Sequence, residues 1–132
     1  MAGLLLITHG TLGADMLDTV RGILCGCPLP AETLAIDSDA DTDALYQAAS
    51  DLCTRLDDGD GVLVLTDLYG STPSNIANRL VESHNVNVIS GANVPMLLRI
   101  LNYPQMGLEA LAEKAASGAR DGIVVSSRKQ AS

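Results

Sequence analysis

Two residues with titratable side chains stand at the ends of apolar runs. His9 follows Leu4-Leu5-Leu6-Ile7-Thr8 and precedes Gly10-Thr11-Leu12-Gly13. Asp67 follows Val62-Leu63-Val64-Leu65-Thr66 and precedes Leu68-Tyr69-Gly70-Ser71-Thr72-Pro73. Imidazole is the one side chain whose unperturbed charge change falls near neutral pH. A carboxylate beside it accepts Nδ1–H, fixes the tautomer and turns the Nε2 lone pair outward. Such a histidine serves as a general base, a metal ligand or a nucleophile. Taken singly, each residue reads more readily as a helix cap or a loop hydrogen-bonding group. Their combination is what calls for chemistry.

The general-base reading needs a nucleophile. Ser71, Thr72, Thr8 and Thr11 are candidates, but no Gly-x-Ser-x-Gly elbow supports a serine hydrolase. The metal reading needs more ligands. His84 is the only other histidine, and the order of elements puts it at the opposite end of the sheet. Cys25-Gly26-Cys27 has no second Cys/His pair at ligand spacing. The nucleophile reading fits its surroundings better. A phosphoryl group on Nε2 needs N–H donors and hydroxyls around it, and no second protein nucleophile. Gly10, Gly13 and Gly70 let backbone approach closely. Thr11, Ser71, Thr72 and Ser74 supply hydroxyls. A helix opened by Pro73 points N–H groups and its positive dipole end at the same place. No metal or cofactor is expected for such a transfer, because positioning does most of the work.

The elements that must position these residues alternate between strand and helix. The apolar runs at about residues 3–8 and at Val62–Thr66 predict buried strands, the second apolar on both faces as in a covered parallel sheet. Leu34–Ile36 and Val86–Ile89 predict two more. The helix from about Gly13 to Leu24 places Met16, Leu17, Val20, Ile23 and Leu24 inward. A second helix, capped by Asp41 or Thr42, turns in Leu45, Ala48, Ala49, Leu52, Cys53 and Leu56. A third turns in Ile76, Ala77, Leu80 and Val81. Helices at Met96–Leu101, opened by Pro95, and at Leu108–Ala119 follow. Ile123–Val125 predicts a final short strand before a polar tail. The expected class is α/β, a flavodoxin-like three-layer fold with a mainly parallel sheet in the order 2-1-3-4, formed as a single domain over residues 1–132. In that order His9 and Asp67 end neighbouring strands at the topological switch point, where such folds bind ligands.

Composition narrows the partners. The 132 residues carry a net charge of −8 and hold three Tyr, no Phe and no Trp. Nucleic-acid binding needs basic residues and stacking rings, so it is not expected. Direct membrane insertion is not expected either, since no apolar stretch approaches ~20 residues. No basic leader precedes the first strand, so the expected compartment is the cytoplasm and Cys25, Cys27 and Cys53 are expected as free thiols. The acidic runs Asp37–Asp43 and Asp57–Asp60 read as solvated loops and caps. The first lacks the glycine and Glu of an EF-hand loop.

Three segments together resemble the IIA component of the mannose family of the bacterial phosphoenolpyruvate:sugar phosphotransferase system (PTS). They are Ile7-Thr8-His9-Gly10, the run from Gly61 through Asp67 to Asn75, and Ile89-Ser90-Gly91-Ala92-Asn93-Val94-Pro95-Met96-Leu97-Leu98. The resemblance implies phosphorylation of His9 on Nε2 by the phosphocarrier protein HPr, with Asp67 hydrogen-bonding the ring. It implies onward transfer to a histidine of a IIB component during sugar uptake. It also implies a homodimer in which the last short strand lies antiparallel at the edge of the partner's sheet. The family loop usually reads Gly-Gly-Ser-Pro, and here Gly70-Ser71-Thr72-Pro73 stands in its place. Three alternatives stay open. One is a regulatory module switched by His9 phosphorylation without sugar transport. Another is the related dihydroxyacetone-kinase phosphocarrier, against which Thr72-Pro73-Ser74-Asn75 argues. The third is an unrelated flavodoxin-like nucleotide binder, which lacks a Walker lysine and a full Gly-x-Gly-x-x-Gly here.

Overall fold

Residues that are apolar on both faces of a strand must be covered from both sides, and that requirement sets the architecture. The computed structural model describes residues 1–128. The strands are β1 (Gly3–His9), β2 (Ala31–Ile36), β3 (Val62–Thr66) and β4 (Val86–Ser90). The helices are α1 (Leu12–Leu24), α2 (Thr42–Leu56), α3 (Thr72–Arg79), α4 (Val94–Leu101) and α5 (Leu108–Asp121), with a 3₁₀ turn at Leu80–Glu82 continuing α3. The sheet is all parallel in the order β2-β1-β3-β4, as expected.

Alternation along the strands divides the core in two. Leu4, Leu6, Leu63 and Leu65 pack with Met16 and Val20 of α1, Leu97 and Ile100 of α4 and Leu111 of α5. Leu5, Ile7, Val62 and Val64 pack with Ala49 and Cys53 of α2 and Ile76 and Ala77 of α3. Each fully buried Leu or Ile contributes roughly 1.5–3 kcal/mol relative to exposure. The central pair β1 and β3 is thereby the most firmly held part of the sheet, and both strands deliver their C-terminal residues to one edge. Register fixes the neighbours there: His9 lies beside Ile36, Ile7 beside Thr66, and Thr66 beside Ser90.

Local chemistry sets the helix ends. Asp41 caps α2, its carboxylate accepting the Asp43 N–H at 3.1 Å. Asn93 caps α4 by accepting the Met96 N–H at 2.9 Å, and its amide donates to the Ala119 carbonyl at 3.2 Å. The start of α4 is thereby tied to the end of α5. Gly118 permits that approach, since a Cβ there would fall 2.5 Å from Arg99 Cβ.

Several expectations need correction. β2 starts at Ala31 rather than Leu34, because the polar residues Glu32 and Thr33 pair with β1 on a half-covered edge strand. α1 begins at Leu12, one residue early, and α5 runs to Asp121. Ile23 and Val81 are exposed, at 57% and 55%, rather than inward. Ile23 lies at the last turn of α1, and Val81 lies where the tighter 3₁₀ turn has shifted the helical phase. Ile123–Val125 stands exposed and pairs with no strand among the described residues, and its expected place at the edge of a partner's sheet involves a second copy. The polar tail that follows lies partly outside the described residues.

Candidate functional site

The site is built on the C-terminal ends of β1 and β3. His9 is the last residue of β1, and Asp67 immediately follows β3. Asp67 Oδ2 accepts two hydrogen bonds, from the His9 backbone N–H at 3.1 Å and from the ring at Nδ1, 2.8 Å away. The His9 side chain is 53% exposed, whereas that of Asp67 is only 11% exposed. The aspartate is therefore the buried anchor and the imidazole the group presented to solvent.

Burial pushes the Asp67 carboxyl up. The His9 side-chain bond and then the His9 backbone bond pull it down and prevail, so the group lies below its ordinary value of 3.8. An ionised carboxylate accepts and never donates, so Nδ1 is the protonated ring nitrogen. Nε2 is left with its lone pair free. Asp67 Oδ1 is buried and has no hydrogen-bond partner among the described residues. Both hydrogen bonds from His9 to this carboxylate go to Oδ2.

The surrounding loops divide into groups turned inward and groups left open. Gly10 takes φ +50°, a conformation that suits glycine, and donates its N–H to the Ile36 carbonyl at 3.1 Å. The Thr11 hydroxyl donates to Asp15 at 3.1 Å. Gly70 is exposed at φ +82°, with open space where a Cβ would stand. Ser71 is the N-cap residue of α3, yet its hydroxyl donates back to the Leu68 carbonyl at 2.5 Å and caps no N–H. Ser74 is fully buried and donates to the Ser71 carbonyl at 2.9 Å. Its hydroxyl proton is therefore not directed into the crevice. Thr72 is exposed at the first turn of α3. The leading N–H groups of a helix have no intrahelical partner, and the positive end of the helix dipole lies with them. Pro73 has no N–H and the Asn75 N–H donates to the Ser71 carbonyl at 2.9 Å, so in this first turn it is the Thr72 and Ser74 N–H groups that receive no cap from the Ser71 side chain.

Two further features were not evident from residue types. Leu12, at the start of α1, and Leu68 and Tyr69, in the loop after Asp67, stand 46%, 61% and 78% exposed. Thr8 and Thr66, each one residue before a site residue, are buried. Their place in unbroken apolar runs was the signal for burial, whereas their hydrogen-bond partners were not legible from residue type. The other histidine, His84, precedes β4 and so lies at the far end of the sheet, where Ser50 Oγ is 2.8 Å from its Nε2. Cys25, Cys27 and Cys53 are free thiols. Among the described residues no group of three or more His, Cys, Asp or Glu is placed to hold a metal ion. No helix among them is long and apolar enough to cross a membrane.

Residues 3–116 match the model of the EIIA-man family, the PTS system fructose IIA component. The chain belongs to this family. Among curated proteins, the PTS system mannose-specific EIIAB component of Escherichia coli (strain K12) is 30% identical over 95 residues. That alignment covers 71% of this chain and 29% of the relative, so the IIA chain spans under a third of the curated relatives it matches. Among solved structures, a mannose/sorbose specific IIA subunit of the phosphotransferase system from Enterococcus faecalis superposes with a TM-score of 0.85. Identity is 20%, over 96% of this chain and 95% of that one, so this likeness speaks to the fold. A phosphotransferase system component EIIA from Streptococcus agalactiae gives a TM-score of 0.83 at 25% identity, over 95% and 97% of the two chains. The fold and the family expected from the three sequence segments are thus those of the IIA components.

Proposed function

We propose that this IIA chain is a phosphoryl carrier in which His9 Nε2 takes a phosphoryl group from phospho-HPr and passes it to a histidine of a IIB component. The observation that carries the reading is the 2.8 Å contact between His9 Nδ1 and Asp67 Oδ2. It commits Nδ1–H to a carboxylate and leaves Nε2 as the only nucleophilic nitrogen on a half-exposed ring. In the transfer, the Nε2 lone pair attacks phosphorus and the N–P bond of the donor phosphohistidine breaks. The donor imidazole departs neutral, keeping the proton on its other nitrogen. His9 keeps its own proton on Nδ1, held by Asp67, and positive charge developing on the ring is met by that carboxylate. The same bond is made and broken on the two partners, so the exchange is nearly balanced and reversible. Onward transfer to IIB repeats the step with His9 as donor.

The rest of the site supports this reading. A phosphoryl dianion on Nε2 would lie near the uncapped start of α3, where N–H groups and the dipole favour anions. Gly70 and Thr72 are exposed between Asp67 and the first turn of α3. The relay belongs in the cytoplasm, where donor and acceptor are soluble proteins. Incubation with labelled phosphoenolpyruvate, enzyme I and HPr should place acid-labile, base-stable phosphate on the wild-type chain and none on His9→Ala. Label on His9→Ala would overturn the assignment. Addition of a cognate IIB protein should then discharge the label, whereas retention against every IIB offered would favour a purely regulatory phosphoprotein.

A further inference from the structure

His9 is pinned by its own backbone at one place and by its two chain neighbours at two more. Its N–H is held by Asp67, and the Gly10 N–H by the Ile36 carbonyl. The third point is Thr8. This residue is 1% exposed, and a buried hydroxyl is retained where it is hydrogen-bonded. Thr8 Oγ1 accepts the Gly13 N–H at 2.8 Å, a bond that is itself buried. It closes the turn from β1 into α1 and takes up one of the otherwise unbonded N–H groups at the start of that helix. The fit is close on both sides. A Cβ at Gly13 would fall 3.0 Å from Thr8 Oγ1 and 3.1 Å from its Cγ2. Thr8 and Gly13 are therefore matched: the glycine allows the approach and the hydroxyl uses it.

Resting on the reading of His9 as phosphoryl acceptor, we propose that Thr8 is a positioning residue, whose bond to Gly13 sets the direction of Nε2. Loss of the hydroxyl leaves the Gly13 N–H buried and unpaired, so the start of α1 must shift to find another acceptor. His9 lies inside the closed turn and shifts with it. In-line transfer tolerates little displacement, and about 1 Å can cost on the order of 100-fold in rate. Thr66 provides the comparison. It is equally buried and stands one residue before Asp67, but its hydroxyl donates to Ser90 across the β3–β4 ladder at 2.8 Å. That bond does not close a turn around either site residue.

The test uses Thr8→Val, Thr8→Ser and Thr66→Val in the full chain, with phospho-HPr as phosphoryl donor. Thr8→Val should lower kcat for phosphorylation about 10–100-fold while KM for phospho-HPr changes less than about twofold. It should also weaken or shift the His9 Nδ1–H proton resonance and the His9 ring titration seen by NMR. Thr8→Ser, which keeps the oxygen, should restore kcat, the resonance and the titration to within about twofold of wild type, as should Thr66→Val. The proposal is overturned if Thr8→Val retains wild-type kcat and ring signals, or if Thr66→Val loses as much. Should Thr8→Val not fold, a Thr8→Ser chain as slow as roughly one-tenth of wild type overturns it equally. If the wild-type chain takes no label from phospho-HPr, the carrier reading has failed, and the ring signals still decide whether Thr8 sets the imidazole.

Discussion

One carboxylate oxygen, Asp67 Oδ2, holds His9 twice, at the backbone N–H and at ring Nδ1, across 58 positions of sequence. The double bond of contacts couples where the histidine sits to which tautomer it adopts. A backbone contact alone would fix the Cα and leave the ring free. A ring contact alone would fix the tautomer and leave the strand end free. Because β1 and β3 are adjacent and parallel, the two residues meet without any intervening loop having to fold over them.

Asp67→Asn separates these roles. The amide oxygen can still accept from His9, and the side chain keeps its shape, so the fold should be retained and the melting temperature should stay within a few degrees. The negative charge that stabilises the ring during transfer is gone, and the amide can flip to present its NH₂ to Nδ1, which favours the wrong tautomer. Phosphorylation by phospho-HPr should slow by about 100-fold, near the lower end of what a positioned acid–base partner contributes. Rapid-quench measurement of labelled His9 checks this. Wild-type rates would remove Asp67 from the transfer.

The candidate pair was legible in the sequence because each member ends an apolar run and the alternation of elements makes those runs neighbours. The directions of the hydroxyls were not legible. Ser71 and Ser74 occur at a helix entry, where side chains choose among nearby carbonyls, and both turn back onto their own loop. Residue type predicts that such groups will bond locally or outward, without saying which. The fold shows the same limit. β1 and β3 were evident from unbroken apolar character, while the first half of β2 was hidden by Glu32 and Thr33 on an edge that needs no apolar face. Ile123–Val125 has strand propensity and no ladder among the described residues, since propensity reports a suitable surface and not a partner.

Stability should fall at both ends of the pH range, for identifiable reasons. The Asp67 carboxyl is below 3.8 in the folded chain, so the folded state binds fewer protons than the unfolded state in acid. Its contribution is present above about pH 4 and is lost as pH falls through the folded value. Burial, aided by the charge of Asp57, raises the Cys53 thiol from 9.0 to about 11. The unfolded thiol ionises first on the alkaline side, so that contribution is present below pH 9 and is lost as pH rises toward about 11. Urea midpoints measured across pH should therefore decline at both limbs. Asp67→Asn should flatten the acid limb and Cys53→Ala the alkaline one, and an unchanged limb in either variant would contradict its assignment.

The homodimer that the family resemblance implies can be tested at the edge of β4 and the exposed run Ile123–Val125. β4 closes one side of the sheet with no neighbouring strand among the described residues, and a groove of about 500 Å³ runs along Val86–Ile89 between the 3₁₀ turn and α5. The three β-branched residues are 72%, 78% and 74% exposed, a costly arrangement for a strand-forming segment left alone in water. Pairing of that segment, antiparallel, on the β4 edge of a second copy would satisfy both, as the family resemblance implies. Sedimentation equilibrium at micromolar concentration should then give twice the 13.7 kDa of one chain. Val124→Pro removes a ladder N–H and fixes φ away from extended pairing, so it should give a folded monomer. A wild-type chain that sediments as a monomer would overturn the dimer. A Val124→Pro dimer as tight as wild type would place the interface elsewhere than on this segment.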